Sequence, residues 1–408
     1  MNGYARQTEI ASSWFREKFF LNLPMSEYIK RLITPFNLVA AILILPGLTL
    51  IGIRFYQGLG AVTSASQYEP WGLFLSWGLF SGVPMSASGF VLGTAVYIFG
   101  VKKYHPVVKN AILIGFLGYL FAVTFLLIDL GRPWRLPYPM FVSFGTASVL
   151  FLIAWHVALY LSCQLLEFSP SIFEWTGWKT LRKWASSLIL ALTIFGVILS
   201  TLHQSALGAM LLLAPGKLHP LWYSPYLPVL FFISAIAAGL CMVILANFLT
   251  QRFLRDQADS EYLASLDPIT LDLGTAASFV LITYFALKVI ALAHGDYWDL
   301  LNTPLGRWFL VEVFIFILLP CLLFVIGSRK GKVGLVQLTA ALTILGIIFN
   351  RFNVSLIALN WNLPHRELFH WKEVAIAIAV VTIQVLIYRW IVTRMPVLRE
   401  HPEYKGKS

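Results

Sequence analysis

Five ionisable side chains stand inside stretches that are otherwise apolar: Asp129, His203, Lys288, Glu312 and Arg351. A carboxylate and an imidazole in such surroundings suit proton transfer, because burial and neighbouring charge move their pKa values toward the working pH. Each group also has a plain structural reading. Lys288 can snorkel to a headgroup region, Arg351 in Asn350-Arg-Phe-Asn353 can clamp two helix ends, and Glu312 can pair with a cation or stay protonated. Asp129 opens Asp129-Leu-Gly-Arg-Pro133, a glycine stop with proline beyond it. As a carboxylate at the negative end of a helix dipole it needs compensation, and Arg132 and Arg135 are at hand.

The spans that carry these groups follow from composition. Of 408 residues, 58% are apolar and 12% charged, against about 45 to 50% and about 25% in soluble domains. Residues 70–101 carry no charge, and similar gaps run from Arg135 to Glu167, Lys183 to Lys217 and Lys217 to Arg252. Each exceeds the roughly 20 residues that a helix needs to cross about 30 Å of hydrocarbon. The fold class expected is an all-α integral membrane protein of ten helices, near 34–56, 71–99, 106–128, 141–166, 184–212, 225–250, 270–293, 305–327, 333–356 and 372–393. Lys and Arg number 21 at the termini and the loops on their side, against 7 in the opposite loops. Both termini are therefore expected in the cytoplasm. The net charge of +11 lies in short loops between spans, which excludes a nucleic-acid partner. Segment 8–33, with Trp14, Phe15, Phe19 and Phe20 among Arg16, Lys18, Lys30 and Arg31, is expected along the inner interface and is no cleavable signal peptide. The outer loops Arg132 to Pro139 and Pro215 to Pro225 are stiffened by proline and rich in aromatics, as either a seat for a partner or interfacial turns.

One offset of 150 residues recurs, pairing Pro70 with Pro220, Gly89 with Gly239 and Gly196 with Gly346. Helices two to five thus resemble helices six to nine, and the two copies share orientation. The division expected is a cytoplasmic amphipathic segment 1–33, a first span and loop 34–69, four-helix bundle repeats 70–219 and 220–369, and a last span with cytoplasmic tail 370–408. The small-residue runs Ser86 to Gly89 and Ser234 to Gly239 suit close helix contact.

On these limits the five ionisable groups converge on the outer third of the membrane. His156 falls about 22 Å below the outer start of the fourth helix at 1.5 Å per residue, on the order of 15 Å from the depth of His203, too far for both to ligate one haem iron. His156 reads as a hydrogen-bonded core residue or part of a proton path, as does Glu312. His219, His294, His365 and His370 form no ligand motif, and the single cysteines Cys163, Cys241 and Cys321 hold neither zinc nor a cluster. The outer set suits a quinol entering from lipid: oxidation releases two electrons and two protons, so a site must bind two ring oxygens and accept protons. Asp129 and His203 are the expected acid-base pair, with Trp71, Tyr119 and Ser200 shaping a ring slot. The electrons must pass to a cluster-bearing partner on the same side. A secondary transporter and a purely structural anchor are the alternatives; Pro46 and Pro84 are the interior breakers that a transporter reading would use.

Pro70-Trp-Gly72, Asp129-Leu-Gly-Arg-Pro133, Ser200-Thr-Leu-His-Gln-Ser-Ala-Leu-Gly208, His219-Pro-Leu-Trp-Tyr-Ser-Pro225 and Asn350-Arg-Phe-Asn-Val354 occur in that order. Together the set resembles the NrfD/PsrC family of quinone-interacting membrane subunits over about residues 35–390, and within it the HybB-like branch with the DsrP and HmcC subunits. The resemblance implies two four-helix bundles, no haem or cluster in this chain, and exchangeable menaquinone bound near the outer surface beside a ferredoxin-like iron-sulfur subunit, with other membrane and cytochrome subunits of a respiratory complex. It places the family's acidic residue of the third helix on Asp129 and sets His203 where the polysulfide-reductase branch has a quinone-contacting tyrosine. Arg132, Gln204 and Arg351 are expected to organise the pocket. Some relatives carry a carboxylate late in the sixth helix, where this chain reads Leu245-Ala-Asn-Phe-Leu249. The resemblance therefore carries proton release to the outer side and leaves conduction across the whole membrane open.

Overall fold

Among the described residues of the computed structural model, ten helices are long and apolar enough to cross a membrane: α1 Pro35–Gln57, α2 Phe74–Ile98, α3 Lys102–Asp129, α4 Val149–Thr176, α5 Lys179–Leu212, α6 Leu227–Phe253, α7 Ser260–Gly295, α8 Pro304–Arg329, α9 Val333–Ile357 and α10 Trp371–Arg394. The structure describes residues 14–66, 69–363 and 368–404. The first residues of the expected interfacial segment, together with His365, lie outside these. Among the described residues no strand forms; a single bridge pairs Leu218 with Leu359. This is a multi-pass membrane protein. Backbone groups in hydrocarbon find no water, and a helix satisfies them within its own segment.

Three helices begin away from their expected starts, each for a local reason. α4 starts at Val149 rather than 141, because residues 142–148 form a polar, glycine-containing loop and Ser148 caps the helix by accepting from Phe151 N. α7 starts ten residues early, where Asp259 accepts from Tyr262 N at 2.8 Å. α5 begins at Lys179, and Arg182 in its first turn pairs with Glu174 at the end of α4. The apolar run marks where lipid begins, whereas the cap marks where the helix begins.

Helices α2 to α5 pack in a closed ring, as do α6 to α9, and the rings meet where α2 and α5 cross α6 and where α2 meets α9. α1 and α10 pair with each other alongside α3. With ten spans both ends lie on one face; the opposite face is called distal below. Before α1, the short helix Met25–Leu32 buries none of its residues, and Arg394 reaches back to donate to Tyr28 Oη at 2.7 Å. Phe19 packs on Trp175 and Trp390, so the described part of the N-terminal segment docks on the ends of α4 and α10.

Several spans carry wide π-type turns: Phe74–Ser81 and Thr94–Ile98 in α2, Phe314–Leu318 in α8 and Asn353–Ile357 in α9. Such turns re-aim side chains and are frequent at functional sites. On the distal face the loop before α6 and the loop after α9 are clasped by the Leu218 bridge, by His219 N donating to Ala358 O at 2.9 Å and by Asn360 N donating to Lys217 O at 2.6 Å. His219 is buried there, and desolvation lowers its pKa from the usual imidazole value, which favours the neutral ring.

The ring-to-ring crossing depends on small residues. At Gly239 of α6 a Cβ would stand 2.8 Å from the backbone carbon of Ala87 in α2, while at Gly334 nothing lies within 4 Å. Gly239→Ala is expected to destabilise the protein by about 1 to 3 kcal/mol through overpacking. Gly334→Ala should leave thermal unfolding in detergent unchanged, and equal midpoints for the two variants would refute the close crossing.

Candidate functional site

The polar groups of the spans gather in three places rather than one. The first lies in the α2 to α5 ring. His203 on α5 directs Nδ1 to the carbonyl of Leu199 at 2.7 Å, so this nitrogen carries the proton and Nε2 accepts from the hydroxyl of Tyr119 on α3. Gln204 donates from Nε2 to Tyr119 Oη at 3.2 Å and to the carbonyl of Val83 on α2 at 3.1 Å. Tyr160 of α4 closes the cluster, its ring 4.7 Å from that of Tyr119 and 5.4 Å from that of His203. Ser200, His203, Gln204 and Tyr119 are all fully buried. Ser200 Oγ, Gln204 Oε1 and His156 Nδ1 have no hydrogen-bond partner here. The cluster therefore keeps spare donor and acceptor capacity around a neutral imidazole.

The second centre lies in the α6 to α9 ring around Glu312. Its Oε1 accepts from Lys288 Nζ at 2.8 Å and Asn350 Nδ2 at 2.7 Å, and its Oε2 accepts from Trp222 Nε1 at 2.8 Å and Asn353 Nδ2 at 2.6 Å. Four donors occupy the lone-pair sites of the carboxylate. Lys288 does not snorkel; it is buried and paired. Trp222 is not an interfacial belt residue but a donor packed over the ion pair. Arg351 lies over the ring of Phe231, 3.7 Å from its centroid, and donates to Ser234 Oγ at 2.7 Å and Asn350 Oδ1 at 2.9 Å. Arg351 and Glu312, expected in the quinone pocket and on a proton path, are joined through Asn350 in one network within this ring, in which Arg351 Nε has no partner.

The third centre lies at the distal rim, where α3 ends. Asp129 does stand at a helix C-terminus, but the compensating cation is Arg54 of α1, which is buried and donates to the carbonyls of Ile128 and Leu130 within Coulomb range of Asp129. Arg132 is exposed, and Arg135 stacks over Tyr138. A helix more than 70 residues earlier in the chain reaches the dipole end, whereas the loop that carries Arg132 leaves that arginine exposed. A second carboxylate, Glu373 of α10, is also within Coulomb range of Asp129; it accepts from Thr63 Oγ1 at 2.6 Å and from His370 N at 3.0 Å. Beside this rim an apolar groove of about 440 Å³ is lined by Leu73, Trp77, Phe352, Phe369, Val374 and Ile378. Val374 follows Glu373 directly, so carboxylate and groove share the start of α10.

The expected pairing of Asp129 with His203 is thus not direct. Tyr119 and Asp129 share α3 but are ten residues, or about 15 Å, apart along it. Trp71 packs on Phe80 at a ring separation of 5.2 Å, away from the Tyr119 to His203 pair. The depth assigned to His156 also fails: with α4 starting at Val149, His156 and His203 lie about 10 and about 14 Å from the distal ends of their helices, at similar depth. Separation therefore does not argue against haem. His203 itself bonds the Leu199 carbonyl through Nδ1 and the Tyr119 hydroxyl through Nε2. Among the described residues no three or more His, Cys, Asp or Glu side chains form a metal-holding group. Sequence reasoning missed Arg54 and Glu373, since groups they meet lie far away in the chain: Ile128 and Leu130 for Arg54 and Thr63 for Glu373.

The family described as Polysulphide reductase, NrfD, matches residues 61–360. A protein of Nitratidesulfovibrio vulgaris, described only as a protein, is 46% identical over 92% of this chain and 97% of its own length. The probable Ni/Fe-hydrogenase 2 b-type cytochrome subunit of Escherichia coli is 30% identical over 86% of this chain and 88% of its own length. The integral membrane subunit of a menaquinone reductase of Nitratidesulfovibrio vulgaris is 24% identical, again over 86% of this chain and 88% of its own. The latter two are named as subunits of a hydrogenase and of a menaquinone reductase and are consistent with the HybB-like branch, and the chain belongs to the NrfD polysulphide reductase family.

Proposed function

We propose that this chain is the quinone-interacting membrane anchor of a respiratory oxidoreductase, exchanging electrons between menaquinol or menaquinone and an iron-sulfur subunit seated on the distal face. The observation that carries the reading is the neighbourhood at the rim: an apolar groove lined by Val374 lies one residue along α10 from Glu373, and Glu373 and Arg54 are both within Coulomb range of Asp129. A prenylated ring reaches such a groove only through lipid, and its hydroxyls need acceptors at the polar end. The relative named as a menaquinone reductase subunit supports the choice of quinone.

Quinol bound there supplies two electrons and two protons. Asp129 is assigned to receive a proton at its carboxylate, with Arg54 holding the helix end and the charge in place. Glu373, fixed by Thr63 and the backbone of His370, orients the ring. α2 divides the groove from the Tyr119 to His203 pair: Trp77 lines the groove, and the Val83 carbonyl faces Gln204. His203 serves as the second proton station through Tyr119, and Ser200 and Gln204 supply the unpaired atoms around it. The offset of 150 residues, read as a duplication of 70–219 in 220–369, belongs to the same proposal. It sets Ser200 and His203 on Asn350 and Asn353, so one copy reacts where the other binds Glu312.

The electrons require a partner, since no cluster site is assigned to this chain. The clasped loops at Leu218 and Leu359 give a fixed platform, and Trp134, Phe141 and Phe144 expose an aromatic surface on the same face. With Lys and Arg concentrated on the other face, the termini are assigned to the cytoplasm and the ferredoxin-like partner to the periplasmic side.

In the purified complex, Asp129→Asn and His203→Phe are each expected to lower quinol-linked electron transfer by about 10²-fold or more while the partner subunits still co-purify. Full activity in both variants would remove the site. The assignment without haem has its own check: the absorption spectrum of the isolated subunit should show no haem bands, and their presence would overturn it.

A further inference from the structure

A file of polar side chains on α4 has no part in the chemistry assigned so far. His156, Tyr160, Gln164, Glu167, Ser171 and Glu174 recur at three- and four-residue spacing. At 3.6 residues per turn they fall within about 80° of the helix circumference, and from first to last they span about 27 Å, close to the roughly 30 Å of hydrocarbon. All except His156 are buried as whole residues, and His156 Nδ1 is buried as an atom. Polar groups at that depth are expensive, so a continuous row of them inside a ring lines something other than lipid.

Both ends of the file are defined. At the upper end Tyr160 touches Tyr119 and His203, and its hydroxyl accepts from Gln164 Nε2 at 2.9 Å. At the lower end Glu174 pairs with Lys109 at 3.2 Å and Arg182 at 3.0 Å, beside a polar pocket of about 230 Å³ on the face of the termini. Midway, Glu167 accepts from Thr193 Oγ1 of α5 at 2.7 Å and meets no cation. Three fully buried side chains along the upper half, Gln164, Ser200 and Gln204, each keep one polar atom without a partner. Neighbouring helices make room for them: a Cβ at Gly89 of α2 or Gly115 of α3 would stand 2.7 or 2.5 Å from Gln164 Nε2. Buried, unpaired polar atoms in a row are where ordered water belongs.

We propose that this file binds a chain of waters and conducts protons between His203 and the face of the termini, with Glu167 as the group that takes up and releases each one. At every hop a group gives one proton forward and receives one from behind, so no charge or bond is left altered in the file. The proposal rests on the quinone reading for its source of protons at His203.

The test uses the assembled complex and infrared difference spectra between its reduced and oxidised quinone states, in H₂O and D₂O. The wild type should show a carboxyl band that shifts in D₂O, is lost in Glu167→Gln and returns in Glu167→Asp. Electron transfer should fall about tenfold in Glu167→Gln, while tryptophan quenching by a quinone-site inhibitor keeps its midpoint. Should Glu167→Gln fail to assemble, Gln164→Met must slow electron transfer with that midpoint unchanged. A band that survives Glu167→Gln, or full activity in Gln164→Met, with inhibitor binding intact, would overturn the file and leave the quinone reading standing. Loss of inhibitor binding and of quinone-linked spectra in the wild type would overturn both.

Discussion

The fold depends on one constraint: in hydrocarbon a polar atom has to find its partner inside the protein. Glu312 meets the constraint in full. Its two oxygens take four donors from α7, α9 and the loop before α6, and the same asparagine that reaches it also anchors Arg351. Removing one partner from such a pair leaves a buried charge alone, which typically costs about 3 to 5 kcal/mol. The α6 to α9 ring is also tied to the distal loops, because Trp222 leaving its carboxylate would break a hydrogen bond to a charged group, typically worth about 1.5 to 3 kcal/mol. The clasped outer surface is a consequence of a buried charge several residues below it.

Neither ring meets the constraint everywhere: Asn247, Thr250 and Arg351 leave polar atoms unpaired in the α6 to α9 ring, whereas in the α2 to α5 ring such atoms lie on α4 and α5, the helices that carry Tyr160 and His203. His156, Gln164, Ser200 and Gln204 each leave a polar atom unpaired within one ring. Such atoms are a cost in a scaffold and a resource in a site that must take up water or protons. The rings differ in their central group: one holds an ion pair with four donors on its carboxylate, the other a histidine bonded to the Leu199 carbonyl and the Tyr119 hydroxyl.

Much of this was legible before any coordinates. Charge gaps gave ten spans, and residue type with approximate depth singled out Asp129, His203, Glu312 and Arg351. What failed was the company they keep. Periodicity fixes how far along a helix a residue sits, but not which neighbour its side chain faces, and so Asp129 was matched to Arg132 when the cation comes from α1. Depth itself failed for His156, since an apolar run from 141 concealed a loop that a serine cap ends at 148. The α4 file, by contrast, was readable as a three-and-four spacing of polar residues. It was passed over because an apolar majority on the same helix marks a span, and a narrow polar stripe barely alters that majority.

The glycines show how close the two rings are to one another in design and how far in use. Gly239 of α6 admits the backbone of α2, so its lack of a side chain serves helix crossing. Gly89, its counterpart at the offset of 150, faces the amide of Gln164, and Gly115 faces it from the other side. A small residue that in one ring brings two helices together makes room in the other for a polar side chain. From sequence these positions carry the same signal, a glycine in a run of small residues. Only the occupant of the space distinguishes a contact from a conduit, and in the α2 to α5 ring that occupant is a glutamine with an acceptor to spare.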